Sequence, residues 1–161
     1  MNRYRPHVYL IPEDDRNRQL ADGFVFHDQV NSQIKVMPPA GGWGEVLRVF
    51  EKEYVKNLRD YPDGYVVMII DFDGDYADRR DKFERAVPDD LKHRVFVIGA
   101  IQTPEVLKKS IGRDFELIGK ALAEDCFADS ETMWGHEQLK HNDPDRRRLI
   151  EKVKSIIFAT E

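Results

Sequence analysis

Acidic side chains collect at the ends of two apolar segments in this sequence. The acids after the segment HVYLI and at the end of the segment VVMIID are Glu13, Asp14, Asp15, Asp71, Asp73 and Asp75. Carboxylates that lie close together repel one another, so such a cluster is tolerable when a cation balances its charge. Ligand sets made of oxygen alone favour a hard cation such as Mg²⁺ or Mn²⁺. If the two segments are neighbours in the fold, this spacing predicts a divalent metal site.

These acids need rigid segments to position them, and the apolar pattern predicts strands for that task. Segment 7–11 predicts a short buried strand, and segments 65–71 and 94–100 are apolar on both faces, as central strands covered by helices are. Segments 23–27 (GFVFH) and 32–37 (SQIKVM) predict two further strands. Ligands of an open α/β sheet bind at the carboxyl ends of its strands, where both acidic runs would lie.

Helices are predicted between and after these strands. Apolar residues three and four apart predict an amphipathic helix over 43–61. Another helix is predicted to begin after Thr103, which is a suitable N-cap, and two more cover 114–126 and 143–158. Strands that alternate with helices predict the α/β class, here a three-layer, Rossmann-like fold whose mainly parallel central sheet is flanked by helices. The expectation is one domain, residues 1–161, with C-terminal helices from about residue 114 packing on the core.

Composition narrows the classes of function. The single cysteine, Cys126, can form neither an intrachain disulfide nor a Cys-pair zinc site, which fits a reducing cytoplasm. No stretch approaches the roughly 18 apolar residues of a membrane span, so the prediction is a cytoplasmic protein that does not enter membranes. The net charge of −5 argues against a broad basic surface for nucleic acid. Binding to nucleic acid would therefore need local basic patches or a partner.

The order of the acidic motifs resembles a known family. Glu13 follows the first strand, and the Asp-x-Asp pair of Asp71 and Asp73 follows a later strand, which is similar to the Toprim domain of topoisomerases, primases and OLD-family nucleases. The resemblance covers roughly residues 7–110 and implies a compact parallel sheet between helices. Two features depart from the family: Asp14 stands where it usually has Gly, and an extra strand or helix must lie between the motifs.

The resemblance implies cleavage of phosphodiester bonds in nucleic acid that depends on Mg²⁺ or Mn²⁺. Glu13, Asp71 and Asp73 would then be the catalytic residues and candidate metal ligands, with Glu13 acting as a general acid or base or as a further ligand beside the Asp-x-Asp pair. Asp75 is a further metal candidate, and Glu105 lies where stand-alone relatives can have an assisting acid. Because stand-alone Toprim proteins are often found with ATPase partners, the resemblance also implies a nuclease effector subunit of an ATPase-linked phage-defence system.

Basic residues near the same predicted edge are candidates for binding the substrate. Lys108, Lys109 and Arg113 could contact the phosphate backbone, although Lys and Arg on helices are usually solvated. Arg146, Arg147 and Arg148 stand near the start of the last predicted helix, where cations oppose the helix dipole, so they could contact a polyanion or simply be solvated.

An unusual loop is predicted between the last two helices. It contains Trp134, His136 and His141, whose side chains could stack on a base, bind metal or transfer protons. The more frequent role of such a segment is a packed loop in which Trp fills a gap in the core.

Other classes of function fit some of the same residues. A receiver-like signalling domain would use Asp14 and Asp15 to hold Mg²⁺ and would be phosphorylated on Asp71, but no strand ending in Lys-Pro follows segment 94–100. A non-catalytic interaction module would use the acids to repel nucleic acid or to contact a basic partner, and a homo-oligomer is a further alternative. Each acidic run alone is also typical of a solvated loop, because Gly74 marks a turn in which Asp is common.

Overall fold

The computed structural model describes residues 1–159; the last two residues of the predicted domain, 160 and 161, lie outside this range. The strands are β1 (His7–Pro12), β2 (Ile34–Val36), β3 (Gly64–Ile69) and β4 (Val95–Ile98). The α-helices are α1 (Asp15–Val25), α2 (Trp43–Val49), α3 (Val55–Asp60), α4 (Tyr76–Ala86), α5 (Pro104–Ile111), α6 (Phe115–Ala128) and α7 (Asp143–Ile157). A π-helical turn, Phe50–Tyr54, joins α2 to α3, and 3-10 turns precede β4 and α7.

The four strands form one sheet in the order β2-β1-β3-β4, and every pair is parallel. β1 and β3 pair over their full lengths, from His7 opposite Gly64 to Pro12 opposite Ile69. The α/β prediction with a parallel sheet flanked by helices is confirmed, and the arrangement is consistent with a Rossmann-like fold. The strand order reverses between β1 and β3, and a crevice outside the carboxyl ends of the strands forms at such a switch point.

Alternate residues of the strands face opposite layers of helix, as the period of a strand requires. One face packs against α2, α3 and α4, and its buried core includes Tyr9, Ile11, Val66, Met68, Phe50, Leu58 and Phe83. The other face packs against α1 and α7, and its core includes Val8, Leu10, Val67, Ile69, Phe96, Ala21 and Val153. Helix α6 packs on the outer side of α1.

The prediction of a central strand over 94–100 is wrong in one respect, because β4 lies at the edge of the sheet. Its apolar residues are nevertheless covered on both sides, which explains the misleading pattern. Side chains of the last helical region occupy its free edge: Arg148 donates to the Val95 carbonyl (3.1 Å), and the Asn142 amide bonds both the N–H and the C=O of Gly99 (3.1 and 3.0 Å). These contacts satisfy backbone groups that would otherwise be open to pairing.

The predicted strand over 23–27 is also wrong, because α1 continues through this segment to Val25. Asp14 caps the helix by accepting from the Asn17 N–H, and Phe24 and Val25 pack toward the sheet. Gly23 looks like a strand or turn residue in the sequence, yet its role is close helix packing. A Cβ at position 23 would lie 2.0 Å from the Glu116 carbonyl oxygen of α6.

The other predicted elements agree with the structure. The predicted helix 43–61 is continuous from Trp43 to Asp60 through the π-helical turn. Thr103 caps α5 by accepting from the Val106 N–H. Within residues 1–159, none of the helices has the length and apolar character needed to cross a membrane.

Candidate functional site

Glu13 and Asp71 meet where β1 and β3 end. The Glu13 N–H donates to the Ile69 carbonyl (2.8 Å), which extends the β1–β3 ladder by one residue. The Asp71 N–H donates to Glu13 Oε2 (2.6 Å), and each of these acids is only 8% exposed. The Glu13 carbonyl accepts from Gly41 and Gly42, so the loop before α2 borders the same place. The parallel pairing of two neighbouring strands therefore brings together the two acids that the sequence pairs.

Asn17 of α1 binds two of the acids at once. Its amide nitrogen donates to Asp71 Oδ1 (2.9 Å) and to Asp14 Oδ1 (3.0 Å). Its side chain is fully buried, and its own Oδ1 has no hydrogen-bond partner within the described part of the chain. Since both N–H groups point at carboxylates, the amide orientation is determined and Asp71 is held in place.

Asp73 is presented by a tight turn. Its backbone has a positive φ of 50°, and its N–H donates to the Gln102 carbonyl (3.1 Å), while Gly74 donates to Ile101 (2.8 Å). Arg79 of α4 donates through Nη1 to the Asp71 carbonyl (2.8 Å) and to Asp73 Oδ2 (2.5 Å). The segment after β3 is thus fixed on one side by the segment after β4 and on the other by an arginine.

One oxygen of each predicted catalytic acid is bonded and the other is not. Glu13 Oε2, Asp71 Oδ1 and Asp73 Oδ2 accept the hydrogen bonds described above, whereas no protein donor within residues 1–159 reaches their second oxygens. Carboxylates that bind metal ions commonly have this arrangement, in which an outer hydrogen bond orients the ligand. The donor set fits a hard divalent cation by its chemistry. Within residues 1–159, however, no group of three or more His, Cys, Asp or Glu has the geometry to hold a metal ion. The carboxylates of these three acids therefore do not converge as they would around a bound ion.

The surroundings make the charges of these acids costly. Burial raises the pKa of Asp71 to about 7, and the negative charges of Glu13, Asp14 and Asp73 act in the same direction, against the hydrogen bond from Asn17. Burial also raises the pKa of Glu13, opposed by the Asp71 N–H and by the charge of Arg79. Acids with raised pKa values in a crevice can exchange protons near neutral pH or take up a cation.

Two of the predicted metal ligands lie apart from this pair. Asp75 is exposed, and no contact joins it to Glu13 or Asp71. Glu105, in the first turn of α5, forms an ion pair with Arg16 of α1. The structure therefore brings Glu13 and Asp71 into contact and links Asp73 to Asp71 through Arg79, whereas Asp75 and Glu105 lie outside this group.

The predicted substrate-binding residues do not gather at the acids. Lys108 lies near the C-terminal end of α5, with Nζ 4.0 Å from Asp114 Oδ1 and 5.0 Å from the centroid of the Phe115 ring. Lys109 is exposed on the same turn. Arg113 lines a surface pocket with His27, beyond the C-terminal end of α1, whereas the acids lie at its N-terminal end. An 11-residue helix such as α1 is about 16 Å long, which separates Arg113 from the acids.

The loop with Trp134 has a structural role. The Asp125 carboxylate accepts from the N–H groups of Met133 and Trp134, and the indole N–H donates to the Leu122 carbonyl (3.0 Å). His136 accepts from the Gln138 N–H through Nδ1, so the proton of its neutral ring is on Nε2, which faces Ser110 Oγ. These contacts agree with the expectation of a packed loop.

The same loop supports the segment after β4. His141 Nε2 bonds the Gly99 carbonyl (2.8 Å), while the Gln138 backbone and side-chain oxygens accept from Ile101 and Gln102. Ile101 and Gln102 in turn accept the hydrogen bonds of the Asp73 turn. The loop therefore supports the Asp73 turn indirectly, because it bonds Ile101 and Gln102, and these residues bond the turn.

The arginines at the start of α7 also have partners within the chain. Arg146 is buried and pairs with Glu131 (2.7 Å), and Arg147 pairs with Asp143 (2.8 Å). Arg148 bonds the edge of β4. Their contacts explain why cations are accepted in this first turn.

Sequence reasoning did not identify two residues that touch the acids. Asn17 stands three residues after the N-cap Asp14, a spacing that signals a capping contact but gives no hint of Asp71. Arg79 stands in the first turn of the helix after the Asp-x-Asp pair, among several other charged residues. Both contacts depend on how helices pack on the sheet, which the spacing alone does not reveal.

Compared with known proteins, the chain matches no protein-family model, no curated protein and no solved structure. The resemblance of Glu13, Asp71 and Asp73 to the Toprim motif therefore stays a prediction. The strand order and the contacts of these acids are the observations from which a function can be inferred.

Proposed function

We propose that the chain is a Toprim-like phosphodiesterase that acts on nucleic acid with Mg²⁺ or Mn²⁺ bound by Glu13, Asp71 and Asp73. The observation that carries this proposal is the meeting of Glu13 and Asp71 at the β1/β3 switch point, where each has an unbonded oxygen. Buried carboxylates without a compensating cation are costly, and a divalent cation offsets that cost.

The chain's own residues would divide the work. The chemistry that the ion supplies is neutralisation of phosphate charge and a lower pKa for water. Glu13, whose pKa is raised by burial, is suited to hold or release a proton near the leaving or attacking oxygen. Asn17 orients the Asp71 carboxylate, and Arg79 fixes the backbone after β3 through its hydrogen bond to the Asp71 carbonyl.

A partner that helps to hold the substrate belongs to the same proposal. With a net charge of −5, the chain has little general attraction for a polyanion. An ATPase partner, and a place in phage defence, rest only on the resemblance to stand-alone Toprim proteins.

A receiver-like domain is the second candidate, and one observation favours it. The order β2-β1-β3-β4 places Asp71 at the end of β3, beside the acids after β1, as a phosphoacceptor would be. Asp71 is only 8% exposed, however, and one of its oxygens is bonded by Asn17. In addition, residues 99–159 contain no further strand. The phosphodiesterase therefore fits the geometry better.

Cleavage assays on plasmid, single-stranded DNA and tRNA in Mg²⁺ or Mn²⁺ test the proposal. We expect product from the wild type and at least about a hundredfold less from Glu13→Gln and Asp71→Asn, because each removes a metal-binding carboxylate. Asp75→Asn and Glu105→Gln are matched controls that should retain activity, since these acids lie outside the group.

Two results would contradict the proposal. Equal cleavage by the wild type and Asp71→Asn would show that these acids are not responsible for the activity. Labelling of Asp71 by acetyl phosphate in a protein that cleaves none of the substrates would favour the receiver-like alternative.

A further inference from the structure

Arg79 is the cation that contacts the aspartates of the Asp-x-Asp pair. Its Nη1 donates to the Asp71 carbonyl (2.8 Å) and to Asp73 Oδ2 (2.5 Å). Its side chain is 15% exposed, whereas that of Asp73 is 48% exposed. The guanidinium carbon lies over the Trp43 ring, 4.6 Å from its centroid, in a cation–π contact. Arg79 is therefore held firmly beside an acid that solvent can reach.

Only part of the guanidinium is engaged in these contacts. Nη1 makes both hydrogen bonds, while Nη2 and Nε donate to no protein group within the described residues. A guanidinium has five N–H donors in a planar fork that matches the oxygens of a phosphate. The cation–π contact with Trp43 helps to hold the guanidinium without using any of its donors.

A divalent cation and Arg79 would make competing use of Asp73. The positive charge of Arg79 already balances this carboxylate when no metal is bound, so an incoming ion must share or displace it. Once the ion neutralises Asp73, the carboxylate attracts the guanidinium less strongly. Hydrogen bonds from the guanidinium to a phosphate then become more favourable. The same side chain would thus pair with Asp73 in the metal-free site and bind a phosphate in the metal-loaded site.

We propose that Arg79 is the internal counter-ion of Asp73 in the metal-free protein and a phosphate-binding residue of the metal-loaded protein. This inference rests on the proposed function of the same site. It replaces Lys108, Lys109 and Arg113 as the source of the phosphate contact nearest to the acids, since these residues lie elsewhere.

The substitution Arg79→Met separates the two roles, because Met keeps apolar length beside Trp43 and removes the charge. Loss of the competing cation should raise the affinity for Mn²⁺ about threefold, the size expected for a partly exposed ion pair. Loss of the fork should lower the affinity of the Mn²⁺-loaded protein for nucleic acid about tenfold. A merely structural role would lower both affinities or neither.

Isothermal titration with Mn²⁺ alone measures the first affinity. Fluorescence anisotropy of a short labelled DNA strand in Mn²⁺, at a temperature and time at which no product forms, measures the second. Arg85→Met is the matched control, because Arg85 is on the same helix and, within residues 1–159, pairs only with exposed Asp81. Arg79→Lys, which keeps the charge without the fork, should bind Mn²⁺ as the wild type does and bind DNA less tightly.

The outcomes separate this inference from the proposed function. Tighter Mn²⁺ binding together with weaker DNA binding in Arg79→Met supports both roles of Arg79. A second outcome is that the wild type binds Mn²⁺ while Arg79→Met leaves both affinities unchanged or lowers both. This outcome would overturn the inference and leave the metal site standing. Absence of Mn²⁺ binding in the wild type and in every variant would overturn the proposed function and this inference with it. If Arg79→Met does not fold, Arg79→Lys tests the phosphate role, and DNA binding by Arg79→Lys as tight as that of the wild type would overturn the inference.

Discussion

Asp71 combines burial with negative neighbours, and this environment has a cost in the metal-free protein. Its pKa is raised to about 7 from an ordinary value of 3.8, so the native state retains a proton that the unfolded chain releases. A group with a raised native pKa stabilises the protein below its unfolded pKa and loses that contribution as pH rises through its native pKa. For Asp71 the loss occurs between about pH 4 and about pH 7.

The substitution Asp71→Asn should remove most of this pH dependence. Asn is close to Asp in shape, stays uncharged and can still accept the hydrogen bond from Asn17. In EDTA the variant should have nearly wild-type stability at about pH 4 and exceed the wild type by about 2 to 4 kcal/mol at about pH 8. Urea unfolding of both proteins at the two pH values measures this difference.

Glu13 is a second acid that the same unfolding experiment can test. Its pKa is also raised, so part of the pH dependence should persist in Asp71→Asn and become smaller when Glu13→Gln is added. If the free energies of unfolding of the wild type and Asp71→Asn differ by the same amount at both pH values, the pKa of Asp71 is not raised in the metal-free protein.

At the scale of elements, the contact between α1 and α6 fixes where the first turn of α1 stands. Gly23 of α1 and Gly119 of α6 allow this close approach: a Cβ on Gly119 would lie 2.0 Å from the Leu20 carbonyl oxygen. The N-terminal end of the same α1 carries Asn17, which orients Asp71. Packing of two helices is thus connected to the geometry of the acids.

Replacement of either glycine by alanine should destabilise the protein. Gly23→Ala or Gly119→Ala forces backbone atoms apart and should reduce the free energy of unfolding by about 1 to 3 kcal/mol, as other overpacked sites do. Gly44 lies in α2 with no atom near its would-be Cβ, so Gly44→Ala should increase stability by about 0.5 to 1 kcal/mol. Urea unfolding measures all three, and destabilisation by Gly44→Ala equal to that by Gly23→Ala would contradict the packing argument.

The sequence was most informative where burial and chain direction coincide. β1 and β3 are nearly continuous apolar runs because helices cover both faces, and parallel pairing then brings Glu13 and Asp71 together. Segment 23–27 was misread because Phe and Val also suit a helix face that packs on a sheet. The position of β4 at the edge could not be read from its apolar pattern, since Arg148 and Asn142 cover that edge from a distant part of the chain.

The site was predicted in part for the same reason. Strand ends determine where Glu13 and Asp71 lie, whereas the contacts of Asn17 and Arg79 follow from how α1 and α4 pack. Glu105 has the sequence position of an assisting acid, but the neighbouring Arg16 forms an ion pair with it. Ion pairs between helices depend on side-chain positions that spacing does not determine.

At the scale of the whole molecule, the strand order brings together acidic residues whose negative charges repel one another. The order β2-β1-β3-β4 puts the switch point between β1 and β3, and the acids that follow these two strands lie at that end of the sheet beside Arg79. The chain is acidic overall, so its net charge gives it little general attraction for nucleic acid. A bound divalent cation would change the local charge where a phosphate has to approach.

Thermal unfolding with and without millimolar Mn²⁺ or Mg²⁺ tests the central claim most directly, because a ligand of the native state raises the midpoint. At about ten times the dissociation constant, the ion should add about 1.4 kcal/mol and raise the wild-type midpoint by about 3 to 5 °C. The double variant Asp71→Asn plus Asp73→Asn should show no rise, while Asp75→Asn should respond as the wild type does. An unchanged wild-type midpoint, or the same rise in the double variant, would contradict a metal site at Glu13, Asp71 and Asp73.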